Sequence, residues 1–351
     1  MRGRLRHPYA KLKEVRLLFC VLACTVRLLA QNAEALLSDG VEQFKNGKYA
    51  AALDTFTAVL KLSPADARAI AYEQLTRAVL GDCSRTLNEL VLQAKRNPDP
   101  DLRRRSGIYA VRCLAARNDF PEALPLLADL LNRNPGDADV IYEAAETFNR
   151  AFNYSIFELF QREPSSYRAN QLSAEILQTQ GRFAEAVAQL QKAIERNPTA
   201  LQLHEQLGRA VLRESSGPES QEKARAAFDA ELTLNPQNAA AQFELGRVLF
   251  SQQKQEEAAA RLEQALTLRP LFPEAMVVLA RVRDAQKQPE AAIKLLRKAT
   301  EISPGLEGAH TELIRIYKEL GNIKEAQREQ AEWDKQKKAT ANEALDRLRE
   351  K

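Results

Sequence analysis

Between Ala239 and Pro270 the chain alternates apolar and polar positions with a helical period. Gln242, Leu245, Gly246 and Leu249 fall at i, i+3, i+4 and i+7, the spacing of one helical face. A short polar turn follows. Ala258, Leu262, Ala265 and Leu266 then line a second face, and Pro270 ends that helix because proline cannot donate to the helical ladder. The pattern predicts two helices of about 14 residues each, joined as an antiparallel hairpin. Such a hairpin is too small to bury its own apolar face, so it needs neighbours of the same kind.

The chain supplies them. Helix-ending prolines stand at Pro64, Pro98, Pro135, Pro164, Pro198, Pro236, Pro270 and Pro304, with successive gaps of 34, 37, 29, 34, 38, 34 and 34 residues. Counted from the start of each first helix, position 8 holds Gly40, Gly208 and Gly246. Position 20 holds Ala52, Ala123, Ala186, Ala224, Ala258, Ala292 and Ala326. Small residues at fixed places let two helix backbones approach closely. A two-helix unit of period 34 with these slots resembles the tetratricopeptide repeat. The resemblance covers residues 33–335 and is sharpest over 167–330. It implies an all-α, right-handed superhelical solenoid of about nine antiparallel two-helix repeats, stabilised by nearest-neighbour contacts rather than by one central core.

Four segments are expected. Residues 1–30 combine a basic start, MRGRLRHPYAKLKEVR, with the apolar run LLFCVLACTVRLLA, and read as a signal peptide cleaved after Ala30, or as a signal anchor. The run is about 14 residues, short of the roughly 20 that span a bilayer. Val21-Leu22-Ala23-Cys24 is also close to a lipobox. Residues 31–164 form irregular repeats, 165–335 regular ones, and 336–351 a charged capping helix. The fourth unit is five residues short and carries Phe148, Phe152, Tyr154, Phe157 and Phe160, with Tyr142 nearby. These aromatics are expected to be core at a bend between the two halves. Pro125 lies deep enough in its helix to distort it. Trp333 is expected to cover the exposed end of the last repeat.

Charge changes the picture little. The chain carries a formal +4, yet residues 1–30 hold seven Lys or Arg against Glu14, so the remainder carries −2. A near-neutral body gives no argument for nucleic acid. Of four cysteines, Cys20 and Cys24 leave with a cleaved signal. Cys83 opens the second helix of the second repeat and Cys113 lies near the end of the next first helix. Repeat geometry brings those ends together, so a disulfide is the expectation, and two small buried hydrophobes the alternative.

Chemistry-bearing motifs are lacking. The sequence has no GxxxxGKS/T loop, GxGxxG, HExxH or GxSxG. His204 and His310 both fall at repeat position 4, a core-edge slot, so no metal site and no cofactor are expected. The resemblance implies instead a non-catalytic scaffold whose first helices line a concave groove. Position 9 of four consecutive repeats holds Arg209, Arg247, Arg281 and Arg315, with Phe243 and Phe250 as apolar anchors between them. Stacked guanidiniums suit an acidic peptide or a C-terminal carboxylate. Alternatively, each arginine pairs with an acid on a neighbouring turn, such as Glu175, Glu205 or Glu274. The expected setting is periplasmic or secreted. The runner-up is a membrane-anchored assembly factor of an envelope complex, touching the membrane only through an uncleaved N-terminal segment.

Overall fold

The computed structural model describes residues 31–349, with side chains to residue 339. Residues 1–30, on which the expected signal, its expected cleavage point and Cys20 and Cys24 fall, lie outside the described residues. The chain is helical throughout them, with no strand. It divides into two compact units between Glu158 and Leu159.

The first unit contains three hairpins: α1 (31–45) with α2 (Tyr49–Leu62), α3 (Ala67–Val79) with α4 (Cys83–Arg96), and α5 (Pro100–Ala116) with α6 (Phe120–Arg133). The second contains five: α8 (Tyr167–Thr179) with α9 (Phe183–Arg196), α10 (Leu203–Glu214) with α11 (Pro218–Leu234), α12 (Ala239–Ser251) with α13 (Gln255–Leu268), α14 (Pro273–Ala285) with α15 (Pro289–Ile302), and α16 (Glu307–Glu319) with α17 (Ile323–Arg349). Within each unit a helix packs on its neighbours in sequence, as a solenoid requires.

Local chemistry explains the boundaries. Several first helices begin at a side-chain cap: backbone N–H groups of Arg68 and Ala69 donate to Asp66 Oδ1 at 3.0 and 2.9 Å, and that of Ala241 donates to Asn238 Oδ1 at 3.0 Å. Most second helices begin differently, after one residue in the left-handed region; α11 is the exception, entered from Gly217 at φ −67°. Gly47 and Gly321 take it at φ 73° and 75°, where glycine meets no Cβ clash. Asn118, Gln253 and Lys287 take the same turn position at φ 58°, 63° and 62°. An L-residue there costs about 1 kcal/mol, so Gln253→Gly is expected to stabilise the protein by up to about 1 kcal/mol. A urea midpoint equal to or below the parent's would contradict this.

The small-residue slots are filled as the period requires. Ala52, Ala123, Ala186, Ala224, Ala258 and Ala292 are fully buried, and Gly246 leaves room for Leu262, whose Cγ would stand 2.7 Å from an added Cβ. Thr86, which breaks the alanine pattern, is buried as well and donates its hydroxyl to the Asp82 carbonyl at 2.7 Å.

The fourth unit departs from expectation. It is not a two-helix repeat: α7 (Ala138–Arg162) is one continuous helix of 25 residues. Nothing between Ala138 and Arg162 is Gly or Pro, so the chain has no residue with which to turn. The aromatics expected as core are largely outside it. Tyr142 is 64 %, Phe148 54 %, Phe152 59 % and Phe157 55 % exposed; only Tyr154 makes an aromatic contact, with Phe120 at 5.5 Å. Pro125 does not break α6, which runs through it from Phe120 to Arg133.

Trp333 does cover the last core. It is 9 % exposed and stacks on His310 with ring centroids 4.7 Å apart. His310 is buried, with Nδ1 2.5 Å from Glu329 Oε1 and Nε2 2.9 Å from the Pro304 carbonyl. The Nδ1 contact holds α17 against α16, while the Nε2 contact ties His310 to the turn that precedes α16. The helix α17 runs on without a break past residue 336.

Candidate partner-binding surface

The second unit brings the four position-9 arginines onto its first helices, α10, α12, α14 and α16. Each is ion-paired. Arg209 lies 3.5 Å from Glu205 on its own helix and 4.0 Å from Glu244 on α12. Arg247 reaches Glu244 at 2.8 Å. Arg281 crosses to Glu312 on α16 at 2.7 Å. Arg315 crosses back to Asp284 on α14 at 2.6 Å and meets Glu312 and Glu319 at 2.9 and 2.8 Å. These carboxylates, Asp284 first, push the Arg315 guanidinium well above its ordinary range, so it stays charged at any relevant pH.

The two signs are not at the same depth. The arginine side chains are 55, 51, 44 and 41 % exposed in chain order, whereas Glu205, Glu244, Glu312 and Asp284 are only 12, 13, 16 and 20 % exposed. Acids form the floor and guanidiniums the surface. An incoming group therefore meets N–H donors with a fork geometry, held in place by the acids beneath. The face is nevertheless close to neutral overall, which the arginine spacing alone does not reveal.

Phe243 and Phe250 are both half-buried. Phe243 packs against Phe272 with centroids 4.8 Å apart, and Arg247 lies 5.6 Å over its outer face. Phe272 carries Arg269 at 4.6 Å. The result is a four-member cluster in which Phe243 is fixed by packing and stays partly exposed. Phe250 is packed into the core between α12 and its neighbours.

Glu205 is the one acid from the sequence reading that pairs with this row. Glu175 accepts instead from Gln206 Nε2 at 3.3 Å, and Glu274 is exposed. The partners missed, Glu244 and Glu312, stand three residues before Arg247 and Arg315, a spacing that places both on one helical face and was open to reading.

In the first unit, Cys83 and Cys113 form a disulfide with Cα atoms 5.5 Å apart, joining the start of α4 to the end of α5. Beside it lies a cleft of about 670 Å³ between α4 and α6. Leu87, Val91, Leu114 and Leu126 supply its apolar wall, and Lys95 and Asp129 its polar rim. Pro125 lines it too; its missing N–H leaves the Pro121 carbonyl without a ladder donor. The sequence gives no sign of this cleft, because its walls come from three helices, α4, α5 and α6, of two repeats.

With this geometry in hand, comparison with known families is direct. Tetratricopeptide repeat models match residues 172–220, 222–261, 253–307 and 285–349. The second unit is built of tetratricopeptide repeats. Solved structures similar to the chain include MamA 41-end from Desulfovibrio magneticus RS-1, at 20 % identity and TM-score 0.45 over 49 % of this chain and 96 % of that one. PilW, a widely conserved type IV pilus biogenesis factor, matches at 23 % identity and TM-score 0.46 over 54 % of this chain and 86 % of that one. The APC/C hetero-tetramer Cut9–Hcn1 matches at 18 % identity and TM-score 0.44 over 80 % of this chain and 55 % of that one. No curated protein matches the chain. Tetratricopeptide repeats serve in general as protein-interaction scaffolds, and among the described residues no group of three or more His, Cys, Asp or Glu is placed to hold a metal ion.

Proposed function

We propose that the protein is an exported, non-catalytic scaffold that holds a protein or peptide partner along the first helices of its second unit. The observation that carries this reading is the row of half-exposed guanidiniums resting on carboxylates that are mostly more deeply set than they are. Salt bridges built only for stability gain nothing from presenting their donors outward, and exposed pairs of this kind contribute only about 0–1 kcal/mol each. Donors fixed in position suit a partner's carboxylates, either acidic side chains or a chain terminus. Phe243 adds an apolar edge at the centre of the row. Export is supported by the Cys83–Cys113 disulfide, since such bonds persist in oxidising compartments and are rare in the cytosol.

Arg247 is the residue with which to test this, because its ion-pair partner Glu244 lies on its own helix and its loss leaves the inter-repeat pairs intact. Arg247→Ala combined with Phe243→Ala is expected to weaken capture of the partner from envelope extract at least tenfold, with unchanged helicity by circular dichroism. Equal capture by parent and variant would remove the binding face from the second unit's first helices. The N-terminus of the purified protein is a separate check: a mature chain starting near Gln31 is expected. Full-length protein resisting a carbonate wash would favour the membrane-anchored assembly factor; among the described residues no helix is long and apolar enough to cross a membrane.

A further inference from the structure

α7 stands where a two-helix repeat should be, and it leaves one long apolar face without a partner. Ile141, Ala145, Phe148, Phe152, Ser155 and Leu159 recur at intervals of 4, 3, 4, 3 and 4 residues. At 100° per residue they fall within an arc of about 80° along some 27 Å of helix. Ile141, Phe148 and Phe152 are 51, 54 and 59 % exposed, Ala145 and Ser155 are exposed, and Leu159 is half-buried. The buried residues Val140 and Thr147 lie about 100° and about 120° from the stripe's centre, and buried Ala144, about 60° from it, marks the edge where the stripe meets the core. An apolar stripe of this length and exposure on one helix is a docking surface rather than scattered surface hydrophobes.

What identifies the occupant is the order of the residues. Read from either end, the stripe runs large, small, phenylalanine, phenylalanine, small, large; its alternating intervals are those of any heptad stripe, and the symmetry lies in the side chains. A second copy of α7 laid antiparallel across it meets Phe148 with Phe152, Ala145 with Ser155, and Ile141 with Leu159. Every bulky group then faces a bulky group at the ends and centre, with the small pairs letting the helices approach between them. The symmetry axis would pass at residue 150. No charge lies on the stripe: Glu143, Glu146, Arg150 and Glu158 project at least 100° away from its centre, so two copies bring no like charges together. A self-complementary patch is the condition for a closed twofold dimer. An unrelated helix would need only apolar residues at this spacing, not a sequence symmetric about its own middle.

We propose that the protein forms a twofold dimer through antiparallel pairing of α7 with α7 of a second copy. The pairing supplies the helix that the fourth unit lacks, and it leaves the arginine row of the second unit outside the contact residues named.

The test is the mass of the full chain in solution, its disulfide intact, by sedimentation equilibrium at tens of micromolar. The expected mass is that of two chains. Phe148→Lys and Phe152→Glu, each alone, are expected to raise the dimer dissociation constant about a hundredfold, as loss of a central aromatic anchor does, with helical content unchanged. Mixing the two variants is the decisive arm. In an antiparallel pair Lys at 148 of one copy faces Glu at 152 of the other, while the second contact remains Phe with Phe, so dimers return. Restoration also shows that both variants are folded. A monomeric parent protein, as when the stripe is covered within its own chain, would overturn the proposal. So would a dimer unmoved by either substitution, or variants that lose the dimer and fail to recover it on mixing.

Discussion

Reducing the Cys83–Cys113 bond is expected to destabilise the first unit by about 3–4 kcal/mol, as chain-entropy bookkeeping gives for a loop of this size, while leaving the second unit where it was. The bond closes a loop of 30 residues, and Cys113 is 1 % exposed in the core shared by α3, α4 and α5. Its partner Cys83 holds the start of α4 against that core. The loss falls on a unit that has only three hairpins and most of the single helix α7, where nearest-neighbour contacts leave little reserve. The chain supplies its own reporter, because its one tryptophan, Trp333, lies in α17 of the second unit. Urea unfolding followed by far-ultraviolet circular dichroism should gain an early phase on reduction, while the fluorescence midpoint of Trp333 stays put. A fluorescence midpoint that moves with the dichroism would mean that the two units unfold as one. No change in either signal would mean that the crosslink contributes nothing.

Phe228→Ala is expected to cost the second unit about 3–5 kcal/mol, the range for emptying a fully enclosed aromatic site. Phe228 is fully buried in α11. The helix α10 rests directly on its ring: a Cβ placed on Gly208 would come within 2.6 Å of it. Gly208 is in the small-residue slot because that ring fills the space beside it, and neither side can move in to fill the void when the ring is gone. The cores of successive hairpins share side chains, Leu266 and Leu295 among them, so the defect should be felt along the array. The Trp333 fluorescence midpoint should therefore fall. An unchanged midpoint would show that the hairpins unfold independently, and that the repeat cores are less continuous than their shared residues indicate.

Most of the architecture was legible before any coordinates. The proline spacing set the hairpins, and the position-20 alanines are buried where the period put them. Close approach between helices tolerates little else, so the sequence must record it. The single long helix α7 was not legible for a related reason. Aromatic composition carries no direction, whereas on a helical wheel Phe148 and Phe152 stand about 80° to about 140° from the buried Val140 and Thr147. The more telling signal was an absence, the lack of any Gly or Pro with which to end the helix. The pairing of the arginines was half legible. Glu244 and Glu312 precede Arg247 and Arg315 by one helical turn, but the contacts of Arg281 with Glu312 and of Arg315 with Asp284 each join residues 31 apart. Those depend on how consecutive hairpins are offset, which no local rule supplies.

The placing of acids beneath guanidiniums also governs how fast a partner can arrive. A face whose positive charges are matched one by one from below projects little field beyond a Debye length, about 8 Å at physiological salt. It cannot draw a ligand in from a distance as an unmatched cationic groove does. Encounter then proceeds at the unsteered rate, about 10⁵–10⁷ M⁻¹s⁻¹, nearly independent of ionic strength. Discrimination among ligands rests on residence time, on how long a carboxylate can share donors that the floor of the face never releases.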